Sequence, residues 1–102
     1  MNQLIENVLQ WGRDKNIIGE NGNGTRYGQA EKVLEEALET HMAVHTNDLR
    51  EVKDGIGDTV VTLILLADMY GWTLEECLQV AYDVIAKRTG KMVNGVFVKD
   101  KK

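Results

Sequence analysis

The chain has 102 residues and no proline, so the residue that most strongly breaks a helix interior is absent throughout. Apolar residues recur at helical spacing from about Gln3 to Asp14 and again from about Gln29 to His45. A third helix is predicted from Leu49 to Tyr70, because Gly71 follows its last apolar residue. The fold class indicated by this pattern is all-α.

Local signals mark where these helices end and where a fourth begins. Residues 17–28, IIGENGNGTRYG, contain four glycines and are predicted to form a loop. Thr73 and Glu76 have the spacing of a capping box, which predicts the start of a fourth helix that ends near Gly90.

The C-terminal segment has a different pattern. Asn94 and Gly95 lie between two short runs rich in β-forming residues, which is a signal for a two-residue hairpin. No linker or repeat divides the sequence, so residues 1–102 are predicted to form a single domain. We expect a four-helix-bundle-like subunit with a short C-terminal β-hairpin.

Composition and charge exclude several functional classes. Apolar residues make up 43% and charged residues 27% of the chain, as in ordinary globular proteins. A net charge of -4 argues against a nucleic-acid binder or a binder of anionic membranes, because both require a basic surface. The single cysteine, the lack of a recognisable signal segment and apolar runs far shorter than a bilayer requires predict a cytoplasmic protein.

The second predicted helix carries an acidic flank. Glu35, Glu36 and Glu39 lie at i, i+3 and i+4 spacings next to Lys32, and each such pair of like charges costs a few tenths of a kcal/mol. A solvated acidic face is the simplest explanation of this helix alone. The residues predicted to form its core stripe are Leu34, Ala37, Leu38 and His41.

The third predicted helix has carboxylates beside apolar residues. Asp54 and Asp58 are one turn apart and are continued at helical spacing by Val61 and Leu65. Carboxylates at the edge of an apolar face require a partner or a metal ion. The predicted core stripe on the other side consists of Val52, Ile56, Val60, Leu63, Ala67 and Tyr70.

Two glycines complicate this helix. Gly55 and Gly57 indicate that another group approaches the backbone closely. Alternatively, the helix begins only after Gly57, and Asp58 is its N-cap. If the helix is continuous, its second apolar strip at Val61 and Leu65 requires cover, which predicts assembly of the subunit into an oligomer.

A short linker favours antiparallel packing of the second and third helices. This packing brings five carboxylates together: Glu35, Glu36, Glu39, Asp54 and Asp58. Carboxylate clusters suit Mg²⁺, with Mn²⁺ as the alternative, rather than zinc. Because Mg²⁺ commonly shares its coordination sphere with substrate phosphates, a nucleotide or pyrophosphate substrate is predicted.

These residues carry a resemblance to a known family. The pattern QxxKxxEExxE at residues 29–39, followed by Gly57-Asp58 ahead of an apolar helix, resembles the MazG-like all-α nucleoside triphosphate pyrophosphatases, particularly their short single-domain members. The resemblance extends over about residues 29–91. It implies Mg²⁺-dependent cleavage of a nucleoside triphosphate to the monophosphate and pyrophosphate, by a homodimer or homotetramer that completes its pocket from two chains.

The resemblance assigns ligands by position. Glu36 and Glu39 match the family's ExxE ligands, Glu35 matches the carboxylate beside them, and Asp58 matches the aspartate of the family's ExxD motif. The glutamate of that second motif is Gly55 in this chain. Either the neighbouring Asp54 replaces it or one metal site is lost.

The resemblance also implies roles in the reaction. Glu35 or Glu36 is expected to orient or deprotonate the attacking water. The residues predicted to bind the substrate are Lys32, Lys87, Arg88 and Lys91 for the phosphates and Trp11 for the base. For Lys87 and Arg88 the alternative is stabilisation of a helix C-terminus, and for Trp11 it is a place in the core or at an interface. The alternative function is a catalytically weak or inactive helical dimerisation or interaction module.

Overall fold

The computed structural model describes residues 3–101, which form four helices followed by a two-stranded antiparallel sheet. This arrangement confirms the predicted helical subunit with a C-terminal hairpin. The elements are α1 (Gln3–Asp14), α2 (Arg26–His45), α3 (Leu49–Met69), α4 (Leu74–Ile85), β1 (Gly90–Val93) and β2 (Val96–Lys99). In the part of the chain described, no helix is long and apolar enough to cross a membrane.

Two predicted local signals are confirmed. Thr73 and Glu76 form a capping box, in which the Thr73 N–H donates to Glu76 Oε1 at 2.8 Å and the Glu76 N–H donates to Thr73 Oγ1 at 3.1 Å. Asn94 and Gly95 have φ angles of 50° and 88°. Both residues of a type I′ hairpin turn require positive φ, and for this reason Asn-Gly is favoured there.

Two helix boundaries differ from the prediction. α2 begins at Arg26, three residues earlier than predicted, because the Thr25 side chain caps its first turn. α4 ends at Ile85, so Lys87 and Arg88 lie beyond the helix in the following turn. The predicted end of this helix near Gly90 is therefore wrong.

α3 runs without interruption through both of its glycines. It begins at Leu49, where the Asp48 side chain accepts a hydrogen bond from the Glu51 N–H at 3.2 Å. Because Gly55 and Gly57 both lie inside the helix, the alternative start after Gly57 is wrong.

α2 and α3 pack as an antiparallel pair, as predicted. Near the start of α2, Gln29 Nε2 donates to the Thr62 carbonyl oxygen late in α3 at 3.2 Å. Further along, the hydroxyls of Thr40 and Thr59 lie 3.4 Å apart. This pairing sets the acidic flank of α2 beside the N-terminal half of α3.

The predicted core stripe of α2 is wrong. Leu34 is 66% exposed and Leu38 is 59% exposed, and Ala37 and His41 are also exposed. The side that faces α3 instead consists of the buried or half-buried residues Gln29, Val33, Glu36, Thr40 and Ala43. Mostly polar or small side chains allow a close approach of the two helices, which turns the leucines outward.

The predicted faces of α3 are also largely wrong. Ile56, Val60, Leu63 and Tyr70 of the expected core stripe are exposed, whereas Ala67 is buried. Leu65 is only 2% exposed, because α1 covers it: a Cβ added to Gly12 would lie 2.6 Å from Leu65 Cδ2. Leu65 therefore belongs to the core of the subunit, and Val61 and Leu65 do not form the exposed docking strip that was expected.

The isolated chain is open. Its accessible surface is 8121 Å², whereas a compact monomer of 11.5 kDa is expected to expose about 5,800 Å². Its radius of gyration is 16.0 Å, against about 13 Å for a compact domain of this length. A single copy thus leaves a large apolar surface uncovered.

Candidate metal centre

Three carboxylates of α2 form the acidic cluster, which we define as Glu35, Glu36 and Glu39. One oxygen of each lies within 4.8 Å of an oxygen of the others. Their spacing in one helix places them on the same flank. Glu36 is half-buried towards α3, whereas Glu35 and Glu39 are exposed. The prediction that these three residues lie together is confirmed.

Asp58 of α3 contributes to the electrostatic field of this cluster, although it does not belong to the group whose oxygens all lie within 4.8 Å of one another. Burial raises the pKa of Glu36, and the negative charges of Glu39 and Asp58 raise that pKa further. An unfavourable field of this kind arises where like charges converge in a partly desolvated place. Asp58 therefore lies close enough to Glu36 to act on it electrostatically.

Lys32 is the cation that accompanies the cluster. Its Nζ lies 3.2 Å from Glu35 Oε1, and this hydrogen bond raises the pKa of Lys32, so the ammonium stays charged. One lysine offsets only part of the charge of four carboxylates. The excess negative charge and the oxygen-only donor set fit a hard divalent cation such as Mg²⁺ or Mn²⁺.

A cavity of about 890 Å³ lies beside Asp58, between α1 and α3. Asp54 lines this cavity together with Asp58, and it does not belong to the group of carboxylates within 4.8 Å of one another that forms the acidic cluster. Most of the remaining lining is apolar or glycine and comes from Leu4, Ile5, Val8, Gly57, Val60, Val61 and Ile64. Asp58 thus connects the cluster with a cleft large enough for a small organic ligand.

Two cations of this cavity were missed by the sequence analysis. Arg50 and Lys53 line it and are exposed. Arg50 precedes Asp54 by four residues, and Lys53 precedes Gly57 by four. Each cation therefore lies one turn earlier on the same side of α3. This spacing could have identified them.

The glycine at the position of the expected glutamate is held by packing. A Cβ at Gly55 would lie 3.1 Å from Thr40 Cβ and would overlap Thr40 Oγ1. A side chain larger than glycine has no room there unless α2 moves. At Gly57, in contrast, an added Cβ would meet nothing within 4 Å, so the expected close approach is confirmed at Gly55 and is wrong at Gly57.

The predicted substrate-binding residues are dispersed within one chain. Lys32 lies at the cluster, and Trp11 is half-exposed on α1. Lys87 and Arg88 line a different cavity, between the end of α4 and the hairpin, and Lys91 lies in β1. Their roles in binding phosphates and base remain predictions.

The raised pKa of Glu36 predicts a pH dependence of stability. Folding raises the pKa of Glu36 above its usual value of 4.5. Ionisation of Glu36 therefore lowers the unfolding free energy as pH rises from 4.5 through the pKa of the folded state. In metal-free protein, Glu36→Gln is therefore expected to have a higher Tm than the wild type, by a margin that grows from pH 4.5 upwards. Differential scanning calorimetry with EDTA measures this margin.

The matched control is Glu20→Gln, at an exposed loop carboxylate, for which no growing margin is expected. Addition of Mg²⁺ should raise the Tm of the wild type and reduce the margin. A margin for Glu36→Gln that does not change with pH would contradict the electrostatic description of the cluster.

Comparison with known proteins assigns no activity. No protein-family model and no solved structure matches the chain. The chain is 36% identical over 67 residues to an uncharacterized 18.2 kDa protein of the rep–hol intergenic region of Haemophilus phage HP1. The similarity covers 66% of this chain and 39% of the phage protein. The chain therefore matches well under half of that relative, and the MazG-like resemblance stays a hypothesis.

Proposed function

We propose that this protein is a Mg²⁺-dependent nucleoside triphosphate pyrophosphohydrolase, which converts a ribo- or deoxyribonucleoside triphosphate to the monophosphate and pyrophosphate. The observation that carries the proposal is the convergence of Glu35, Glu36 and Glu39 within 4.8 Å, with Asp58 adjacent. The MazG-like pattern at residues 29–39 and at Gly57-Asp58 supplies the reaction class.

The cluster has the composition that a magnesium site requires. Glu36, Glu39 and Asp58 would hold the ion, with Glu35 beside them and Asp54 available from the cavity side. When bound, Mg²⁺ supplies neutralisation of the phosphate charge and acidification of the attacking water.

The residues of this chain would orient the water and hold the phosphates. Of the two candidates for this role, Glu35 and Glu36, Glu36 would hold the ion, so the neighbouring Glu35 would orient or deprotonate the water. Glu35 accepts a hydrogen bond from Lys32 at 3.2 Å. The Lys32 ammonium lies beside the cluster and provides a permanent positive charge for the substrate phosphates.

The cavity between α1 and α3 supports a nucleotide rather than inorganic pyrophosphate as the substrate. Its volume of about 890 Å³ is in the range of small-molecule sites. Its apolar walls suit a nucleoside, and Arg50 and Lys53 lie where they could contact phosphate oxygens. Asp58 forms the boundary between this nucleoside-sized space and the carboxylates.

Assembly into a homodimer or homotetramer is part of the proposal. The chain exposes 8121 Å², about 2,300 Å² more than a compact monomer of its mass. A standard interface buries about 800 Å² on each partner, so the excess is large enough for an extensive interface. A cytoplasmic location, where nucleotides and Mg²⁺ are available, completes the proposal.

The alternative is a catalytically weak or inactive interaction module of the same fold. It is favoured by one observation, the tight packing of Gly55 on Thr40, which excludes a glutamate at that position. The alternative predicts no turnover, although it retains the fold and the assembly.

The bond that is cleaved distinguishes these functions. With Mg²⁺ and a panel of ribo- and deoxyribonucleoside triphosphates, phosphorus NMR is expected to show the monophosphate and pyrophosphate in equal amounts. Diphosphate with orthophosphate would place the protein in another class of hydrolase. Absence of turnover across the panel would favour the interaction module.

A further inference from the structure

We define the C-terminal arm as residues 86–102; its hairpin, formed by β1 and β2, stands apart from the helices of its own chain. Within the described residues, β1 and β2 pair with each other and their backbones approach none of the four helices. Only the end of α4 is near, where Val84 lines a cavity with Val98. The hairpin side chains are largely exposed, including Phe97 at 53%.

Such a hairpin requires cover from elsewhere. A two-stranded hairpin alone is marginally stable in water, and this one exposes apolar side chains on both faces. The register pairs Met92 with Phe97 and Val93 with Val96. Neighbouring pairs point to opposite faces, so Met92 and Phe97 lie on one face, whereas Val93 and Val96 lie on the other.

The arm and the rest of the chain have opposite charge. Residues 86–102 contain six Lys or Arg and one Asp, a net charge of +5, whereas residues 1–85 contain six basic and fifteen acidic residues, a net charge of -9. Together they give the overall charge of -4. Opposite charges of this size favour association between the two parts.

The outer side of α2 has the chemistry that complements the arm. Leu34, Leu38 and Met42 recur every four residues there and are exposed, with Glu31 and Glu35 on the same side of the helix. This apolar row bordered by carboxylates matches apolar hairpin residues bordered by lysines. In the described structure α2 packs against α3 alone and does not approach its own hairpin.

We propose that the arm docks on the outer side of α2 of a second copy of this chain, in a reciprocal exchange of arms. The excess surface of about 2,300 Å² per chain exceeds what one side of a standard interface buries. The exchange carries Lys87, Arg88 and Lys91 to the helix that bears the partner's acidic cluster. It does not require that the protein be an enzyme.

Sedimentation equilibrium of the full chain tests the exchange without any measurement of activity. The wild type at micromolar concentration is expected to have at least twice the monomer mass of 11.5 kDa. Phe97→Asp on the arm and Leu38→Asp on α2 are each expected to raise the dissociation constant about 30-fold or more, as at an interface hot spot. The matched control is Leu4→Asp, an equally drastic change at an exposed leucine of α1.

A monomeric wild type would overturn the proposal. Dissociation constants of Phe97→Asp and Leu38→Asp that equal the dissociation constant of Leu4→Asp would also overturn it. A charge swap gives an independent test: Lys91→Glu and Glu31→Lys should each weaken assembly, and their combination should restore part of it. The control is Glu20→Lys in the loop before α2. Failure of the combined variant to recover would contradict the docking on α2.

Hydrogen exchange of the wild type keeps the proposal testable if a variant does not fold. The hairpin amides are expected to lose protection on dilution below the dissociation constant, while the amides of α3 near Leu65 keep theirs. Protection of the hairpin that is independent of protein concentration would show that its own chain holds it, and this result would overturn the exchange.

Discussion

Glu36→Gln and Asp58→Asn are each expected to lower pyrophosphohydrolase activity at least about 100-fold, since loss of a ligand exceeds the 10–100-fold cost of a supporting contact. Each amide keeps the shape of the side chain but removes a charged oxygen from the site where Glu36 and Asp58 interact. Activity is measured as pyrophosphate release at saturating Mg²⁺. The helical circular dichroism signal is expected to persist, because neither residue supports the apolar core.

Asp54→Asn and Glu20→Gln are the controls for this prediction. Asp58 raises the pKa of Glu36, whereas Asp54 is not among the groups that act on it, so Asp54→Asn should lose less activity than Asp58→Asn. Wild-type activity in Asp54→Asn would show that Asp54 does not replace the family's glutamate. Glu20→Gln should remain as active as the wild type. Full activity of Glu36→Gln would refute the proposed site.

Gly55→Glu, which restores the glutamate of the family pattern, is expected to destabilise the fold strongly instead of improving activity. A Cβ at this position would lie 3.1 Å from Thr40 Cβ, and overpacking of this kind costs about 1–3 kcal/mol. Insertion of a charged side chain between packed helices adds a desolvation cost. The free energy of unfolding from urea denaturation should therefore fall by about 3 kcal/mol or more.

Gly57→Ala is the matched control on the same helix. An added Cβ meets nothing within 4 Å there, so alanine should stabilise α3 by about 0.5–1 kcal/mol through its higher helix propensity. A Gly55→Glu protein as stable as the wild type, with increased activity, would show that α2 and α3 separate readily and that the position can supply a ligand.

The elements could be predicted because their signals are local. The capping box of Thr73 and Glu76 and the turn at Asn94-Gly95 are each set by a few adjacent residues. For α3, local glycines gave a competing start after Gly57. The N-cap at Asp48 and the burial of Gly55 decide that the helix is continuous.

The packing faces could not be predicted in the same way. Hydrophobic periodicity selected Leu34 and Leu38 as the core of α2, but the helices meet through Thr40 and Gly55 instead. Periodicity identifies which residues share a face, and it does not show whether the same chain covers that face. Leu65 was misplaced for the same reason, because cover by α1 depends on tertiary contacts near Gly12.

The acidic cluster and Lys32 beside it were predictable, whereas the positions of Lys87 and Arg88 were not. Glu35, Glu36 and Glu39 lie within two turns of one helix, so local geometry alone brings them together. Lys87 and Arg88 lie on an arm that is separated from the cluster in its own chain. Their position relative to the cluster depends on assembly, about which a single sequence pattern carries little information.

Direct titration of Mn²⁺, followed by electron paramagnetic resonance of the free ion, tests whether the acidic cluster and Asp58 bind a divalent metal. The wild type is expected to bind at least one Mn²⁺ per chain in competition with Mg²⁺. Glu36→Gln should lose at least about tenfold in affinity, whereas Glu20→Gln should bind as the wild type does. Equal Mn²⁺ affinity in Glu36→Gln and the wild type, or no binding to either, would show that the acidic cluster is not a metal site.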